Sequence, residues 1–293
     1  MARARLLIAY AHPDDESFGL GGLIARYVER GVEVGLICAT NGDCGTVDPA
    51  LLKGYQSVAE LRLAELDRAA AVLGLHKVYK LGYKDSGMRG SATAQDPACL
   101  WQASQAEVVR RVTAILREFK PQVVITFNRY GGYGHPDHIA IQRATTEAFY
   151  RAGDPEYLIE QLPPYAPQKL YYSGIPTSML RWRIMIARLQ GRDPRRLGRN
   201  HDVDLAAILD HLEPIHARVD IRDYHRQWDA ASACHASQLG STRMPGLPLW
   251  LRRRLFTHQG FTRIYPPPAV DRVDEHDLFD GVTFATPDVA PVP

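Results

Sequence analysis

Cysteine is scarce in this chain: Cys38, Cys44, Cys99 and Cys234 are the only four in 293 residues, at unrelated spacings and with no Cys-x-x-Cys pair. That excludes a disulfide framework or a Cys-rich zinc module and reads as the reduced thiols of a cytoplasmic protein. An excess of one charge is missing too. With 35 basic and 33 acidic side chains the formal net charge is +2, so nucleic acid, whose phosphates call for a basic excess, is not an expected partner. No run of about 18 apolar residues is present to span a membrane, and the apolar stretch behind Arg3 and Arg5 breaks at His12 to Glu16, which argues against a secretory signal. A dinucleotide loop is also lacking. Gly19, Gly21 and Gly22 would need a glycine where Ile24 stands, and the acidic residues just before them would repel a pyrophosphate.

What is present is enough apolar sequence, 45% of the chain, for one large α/β domain or two modest ones. Leu6–Ala11, Val32–Ala39, Val78–Leu81 and Gln122–Phe127 are short continuous apolar runs, the pattern of strands buried on both faces. Helical patterns lie between them at Phe18–Arg30, Ser57–Leu73 and Gln105–Phe119, and a further strand is expected at Lys169–Ser173. The alternation predicts an α/β fold: a Rossmann-like, doubly wound, mostly parallel sheet within residues 1–175. Residues 176–265 are expected to form a C-terminal α/β extension contributing to the substrate site, with a strand at Arg218–Ile221 and a helix from Asp223 to about His235. Arg181–Arg199 is arginine-rich and interleaved with Trp182, Ile184, Met185, Ile186 and Leu189. It reads as a solvated flank, a basic cover over the sheet edge or an amphipathic helix for an anionic surface. After Pro266-Pro267-Pro268 the acidic, proline-bearing residues 266–293 are expected to form a surface-draped or mobile tail. No internal repeat is found, and the sequence leaves a homo-oligomer open.

Two clusters carry the chemistry. The first strand runs out into Ala11-His12-Pro13-Asp14-Asp15-Glu16, and the fourth into Asn128 and then Tyr130-Gly131-Gly132-Tyr133-Gly134-His135-Pro136-Asp137-His138. Ligands bind at the carboxyl edge of a doubly wound sheet, where the strand order reverses, and there the two clusters would face each other. Imidazoles with carboxylates and no thiolate suit zinc or another divalent first-row metal; iron is served by the same ligands. Three ligands and an open position would give a hydrolytic site, with spare carboxylate and imidazole for acid and base work. His76, His201, His211, His216, His225, His258 and His276 have no partners at ligand spacing.

The pair AHPDDE and HPDH resembles the PIG-L/LmbE family of zinc-dependent N-acetylglucosaminyl deacetylases, and the likeness runs through about the first 150 residues. The resemblance implies His12, Asp15 and His138 as metal ligands, Asp14 as general base and His135 as the group that steadies the oxyanion and protonates the amine. Asp137 would orient His135. More loosely, Tyr133 would close over the substrate carbonyl. Arg62 would bind substrate, unless it merely pairs with Glu65 along its helix. Ala233-Cys234-His235-Ala236-Ser237-Gln238 resembles a family element that reaches toward the sugar, which makes His235 and Gln238 candidates for substrate contact. The implied activity is removal of an N-acetyl group from an N-acetylated amino sugar. The alternatives are an amidase acting on a thiol-sugar conjugate through the same site, and a non-catalytic sugar- or nucleotide-binding module.

Overall fold

The apolar runs become the middle of one seven-stranded sheet in the computed structural model, which describes residues 3–159, 161–175, 177–197, 203–239 and 248–284. Five strands run parallel: β1 (Arg5–Tyr10), β2 (Glu33–Thr40), β3 (Lys77–Tyr83), β4 (Val123–Thr126) and β5 (Lys169–Gly174). Their spatial order is β3-β2-β1-β4-β5, so the chain winds outward one way from β1 and the other way from β4. That is the expected reversal, and it sets the carboxyl ends of β1 and β4 side by side. Leu6, Leu7, Ile8, Val123, Val124 and Ile125 are completely buried, as strands covered on both faces must be.

The crossovers carry α1 (Asp15–Glu29), α2 (Val58–Leu73), α3 (Gln105–Phe119), a single turn α4 (Gly131–Gly134) and α5 (Pro136–Ala152). Helix α2 starts where Ser57 Oγ accepts the Glu60 N–H, 3.1 Å away, and stops at Gly74 in the left-handed conformation, the usual beginning and end signals. Helix α1 begins three residues earlier than the apolar periodicity indicates, because the polar residues Asp15 and Glu16 form its first turn.

The second half of the chain adds α6 (Thr177–Leu189), α7 (Leu205–Asp210), β6 (Ala217–Asp220), α8 (His225–Cys234), α9 (Ala236–Leu239), α10 (Leu249–Leu255) and β7 (His258–Tyr265). Strand β7 pairs antiparallel with β5, and β6 antiparallel with β7, so the sheet ends mixed rather than parallel. The sequence gives β7 away poorly. Its buried positions include Gln259 and Arg263 beside Phe261, and Gly260 lies under Ile215, where an added Cβ would sit 3.1 Å from Ile215 Cγ2.

The arginine-rich segment is helical only to Leu189. Its Leu180 and Ile184 pack with Leu205 and Ile208 of α7, while Trp182, Met185 and Leu189 stay exposed; positions 198–202, His201 among them, lie outside the described residues. The acidic segment after β7 is held to the body as far as Phe284. Glu275 takes Lys169 Nζ at 2.5 Å, the Tyr171 hydroxyl at 2.5 Å and Arg263 Nη1 at 2.6 Å, and Leu278 is fully buried. Buried Lys169 and Arg263 need that carboxylate, which fixes the segment against the body, the draped form of the two expected; residues 285–293 lie outside the described residues. Among the described residues no helix is long and apolar enough to cross a membrane.

Candidate active site

Pairing of Ala9 with Thr126 carries the chain ends beyond β1 and β4 into one crevice. There His12 Nδ1 lies 3.0 Å from His138 Nε2, across 126 residues of sequence. Each ring is held by its far nitrogen. His138 Nδ1 donates to the Gly131 carbonyl at 3.1 Å, and the ring stacks on Phe127 with 3.9 Å between centroids. His12 Nε2 points at Asp137 Oδ2, 3.2 Å away, and at Asp85 Oδ1, 3.5 Å away. Asp15 completes the near side: one oxygen is 3.5 Å from His12 Nδ1 and the other 3.5 Å from His138 Nε2.

Pro136 opens α5 and His135 caps it, with its Nδ1 accepting the Asp137 N–H at 3.2 Å. The proton of a neutral His135 is therefore on Nε2. The Asp137 carboxylate turns to His12, not to His135, whose Nδ1 is 3.9 Å from it; Asp137 also receives the Ser86 N–H at 2.9 Å and the Ser86 hydroxyl. Tyr133 is half-buried, and its ring stands edge-on to His138 and His135.

Asp14 lies between His12 and Asp15 in the same turn. Its φ of 138° is unusual for a residue with a side chain, and Arg62 clamps it: Nη2 donates to the Pro13 carbonyl and to Asp14 Oδ2, each at 2.9 Å, and Nη1 to the Gly42 carbonyl at 2.7 Å. Gly42 has φ 67°, and an added Cβ there would come within 2.4 Å of the guanidinium. Arg62 is buried and makes no pair with Glu65. Glu65 instead takes the Ser237 N–H at 2.8 Å and its hydroxyl at 2.5 Å. His235 is completely buried with Nε2 on Glu16 Oε1 at 2.7 Å, so it has no face open to a substrate. Gln238 is half-buried beside the Gly42–Gly45 loop, close enough that an added Cβ on Gly45 would lie 3.0 Å from its Nε2.

Asp85 is the residue the sequence reading passed over. It follows β3 at the same carboxyl edge as the two clusters, which is the signal that could have found it, but β3 lies two strands from the reversal and is half exposed. Its carboxylate approaches His12 and His135 and lies 3.9 Å from Arg62 Nη1.

Burial, aided by the neighbouring imidazoles, pushes His135 down to about 3. Burial likewise holds His138 near 4, against the pull of Asp15. Both shifts favour the neutral ring, and in His138 the Nε2 lone pair then faces His12 Nδ1. Burial also opposes charge on His12, yet Asp85, Asp137 and Asp15 raise it well above the ordinary value. Asp15 and Asp85 are held below the usual carboxylate range despite burial, chiefly by His138 and His12 respectively. Burial raises Asp14 to about 6, with Arg62 opposing.

This donor set fits a divalent cation. Two imidazole nitrogens converge with carboxylate oxygens, and the outer nitrogens are engaged by a backbone carbonyl and by carboxylates, as in metal-bound histidines generally. His12, His135 and His138 form one buried group with ligand atoms mutually within 4.8 Å, and His12, Asp85, His135 and Asp137 form another. They are the groups of this kind among the described residues.

Residues 7–149 match the sequence profile of the PIG-L family, described as GlcNAc-PI de-N-acetylase. Over 290 residues the chain is 36% identical to the 1D-myo-inositol 2-acetamido-2-deoxy-alpha-D-glucopyranoside deacetylase of Thermobifida fusca, covering 94% of this chain and 98% of that one. The chain belongs to the PIG-L/LmbE family. Among solved structures, this PIG-L/LmbE protein shares its fold with the N,N'-diacetylchitobiose deacetylase of Pyrococcus horikoshii, at a TM-score of 0.60 and 22% identity over 91% of this chain and 88% of that one. It shares the fold equally with a 4-carboxy-2-hydroxymuconate hydratase from Pseudomonas putida, at a TM-score of 0.59 and 18% identity over 91% and 98% of the two chains. A hydratase on the same scaffold means that the reaction must be argued from the site and not from the sheet.

Proposed function

We propose that this PIG-L/LmbE protein is a metal-dependent N-deacetylase of an N-acetylglucosamine conjugate, with a GlcNAc-inositol as the substrate to test first. The observation that carries the reading is the approach of His12 Nδ1 to His138 Nε2 at 3.0 Å with an Asp15 oxygen 3.5 Å from each, and with His135 and Asp14 alongside. His12, Asp15 and His138 would hold zinc, or iron, which the same ligands serve. A divalent cation there supplies Lewis-acid polarisation of the acetamide carbonyl and a water of lowered pKa. Asp14, kept in place by Arg62, takes the proton of the attacking water. His135 presents Nε2–H, because its Nδ1 is occupied by the Asp137 N–H, and this donor steadies the oxyanion that develops on the carbonyl. When the C–N bond breaks, Asp14 returns the proton it took from the water to the departing amine, and acetate and the free amine leave. Tyr133 stands edge-on to the two histidines and would move to close over the substrate carbonyl. Gln238, half-buried beside the Gly42–Gly45 loop, would contact the sugar. Arg62 acts on Asp14 and not on the substrate.

The likeness to the Thermobifida fusca deacetylase over nearly the whole of both chains supports the choice of substrate. The test is to purify the protein, measure bound metal, and follow acetate release from GlcNAc-inositol, N-acetylglucosamine and a thiol-sugar conjugate. Acetate release restored to a chelated sample by zinc or iron is the expected result. Metal-independent release, or cleavage of the conjugate amide alone, contradicts it.

A further inference from the structure

Asp14 cannot hold its backbone unaided. At φ 138° and ψ −27° it lies where residues with a Cβ are rarely found, and such strain persists only where the surroundings over-determine it. Arg62 fastens the side chain and the preceding carbonyl from one side. From the other side Glu16 Oε2 accepts the Asp14 N–H at 3.1 Å. Glu16 is completely buried, and a buried carboxylate needs a full set of donors. Its Oε1 has two more, the Ser17 hydroxyl at 2.6 Å and His235 Nε2 at 2.7 Å. His235 comes from the far half of the chain, at the end of α8, where Glu65 locks the next turn by binding Ser237. Two buried carboxylates on α1 and α2 thus seize the segment 235–237, and one of them passes the constraint to Asp14.

We infer that His235 is a positioning residue for Asp14: through Glu16 it holds the strained turn that aims the Asp14 carboxylate into the crevice. This rests on Asp14 being the base, as proposed above. It also explains why a segment resembling a substrate-contact element is closed to substrate at its histidine. The C-terminal half would then help to set the base.

The test compares metal-loaded wild type with His235→Leu, which keeps bulk without a donor, and His235→Gln, whose amide can return an N–H near the place of Nε2. In His235→Leu we expect kcat on GlcNAc-inositol to fall about 10- to 100-fold, the size typical of lost outer-shell partners, with KM and metal content unchanged. His235→Gln recovers most of the loss, and in a crystal structure of His235→Leu the Asp14 φ leaves the positive region. If His235→Leu does not fold, His235→Asn, polar but too short to reach Glu16, replaces it against the same Gln control. Unchanged kcat without the donor overturns the inference, as does a loss of kcat accompanied by lost metal with Asp14 undisturbed. Asp14→Asn is assayed alongside. Full turnover there removes Asp14 as the base, whereas an inactive Asp14→Asn beside a fully active His235→Leu removes the role of His235 alone.

Discussion

His12 Nδ1 and His138 Nε2 face each other at 3.0 Å, one at the end of β1 and the other in the first turn of α5. With His138 Nδ1 committed to a carbonyl, its Nε2 accepts from His12 Nδ1, while His12 Nε2 faces the Asp137 carboxylate, which can only accept; both His12 nitrogens are therefore placed to donate. Asp85, Asp137 and Asp15 favour a positive charge on His12. A divalent cation meets the same preference, and several expectations follow from that equivalence.

Asp137 holds His12 and Ser86 at once. Asp137→Asn keeps the volume but weakens the acceptor for His12, so metal affinity should drop about 10- to 100-fold, as for other outer-shell partners of ligating histidines. Competition with a chromophoric chelator measures it; an unchanged affinity would mean that His12 needs no orienting partner.

Removal of the metal should destabilise the fold, because Asp15, Asp85 and Asp137 then surround His12 without a divalent charge. Saturation at about 100 times Kd contributes roughly 2.7 kcal/mol through binding to the native state alone. Calorimetry before and after chelation, and after zinc is returned, should show a melting temperature that falls and recovers. One that ignores the metal contradicts a site formed in the native state.

Arg62→Met removes the only guanidinium on Asp14 among the described residues and leaves a poorly hydrated carboxylate, costing on the order of 3 kcal/mol as for other broken buried pairs. Activity should fall mainly in kcat. A rise in KM with kcat preserved would return Arg62 to substrate binding.

Glu33 gives the fold a pH dependence independent of the site. Hydrogen bonds from Arg3 and Arg5 lower its carboxyl from about 4.5 to about 2. A depressed native pKa contributes stability that is complete above the unfolded value and is lost as pH falls through the native one. The difference in melting temperature between wild type and Glu33→Gln should therefore be constant above about pH 5 and shrink between about pH 4.5 and 2. A difference that does not vary over that range would show that the ion pairs contribute nothing.

The parallel half of the sheet and the meeting of the two motifs were legible in the sequence, because buried strands leave unbroken apolar runs and strand order dictates which ends are neighbours. Strand β7 was not, since Gln259 and Arg263 are buried through partners distant in the chain: Gln259 bonds to Leu23 and Gly19, and Arg263 pairs with Asp274 and Glu275. Which residues gather at the crevice was legible by type, but their partners were not. Asp137 turns to His12, Arg62 to Asp14 and His235 to Glu16, and each choice depends on side-chain direction in three dimensions, about which spacing is silent. Asp85 stayed hidden because a lone aspartate after a half-exposed strand looks like an ordinary turn residue.

The most direct test of the central claim is acetate release by metal-loaded Asp14→Asn. General-base catalysis is worth about 10²- to 10⁴-fold, so the account predicts a loss of that size in kcat with the metal still bound at one per chain. Turnover at the wild-type rate by the fully loaded variant would contradict it.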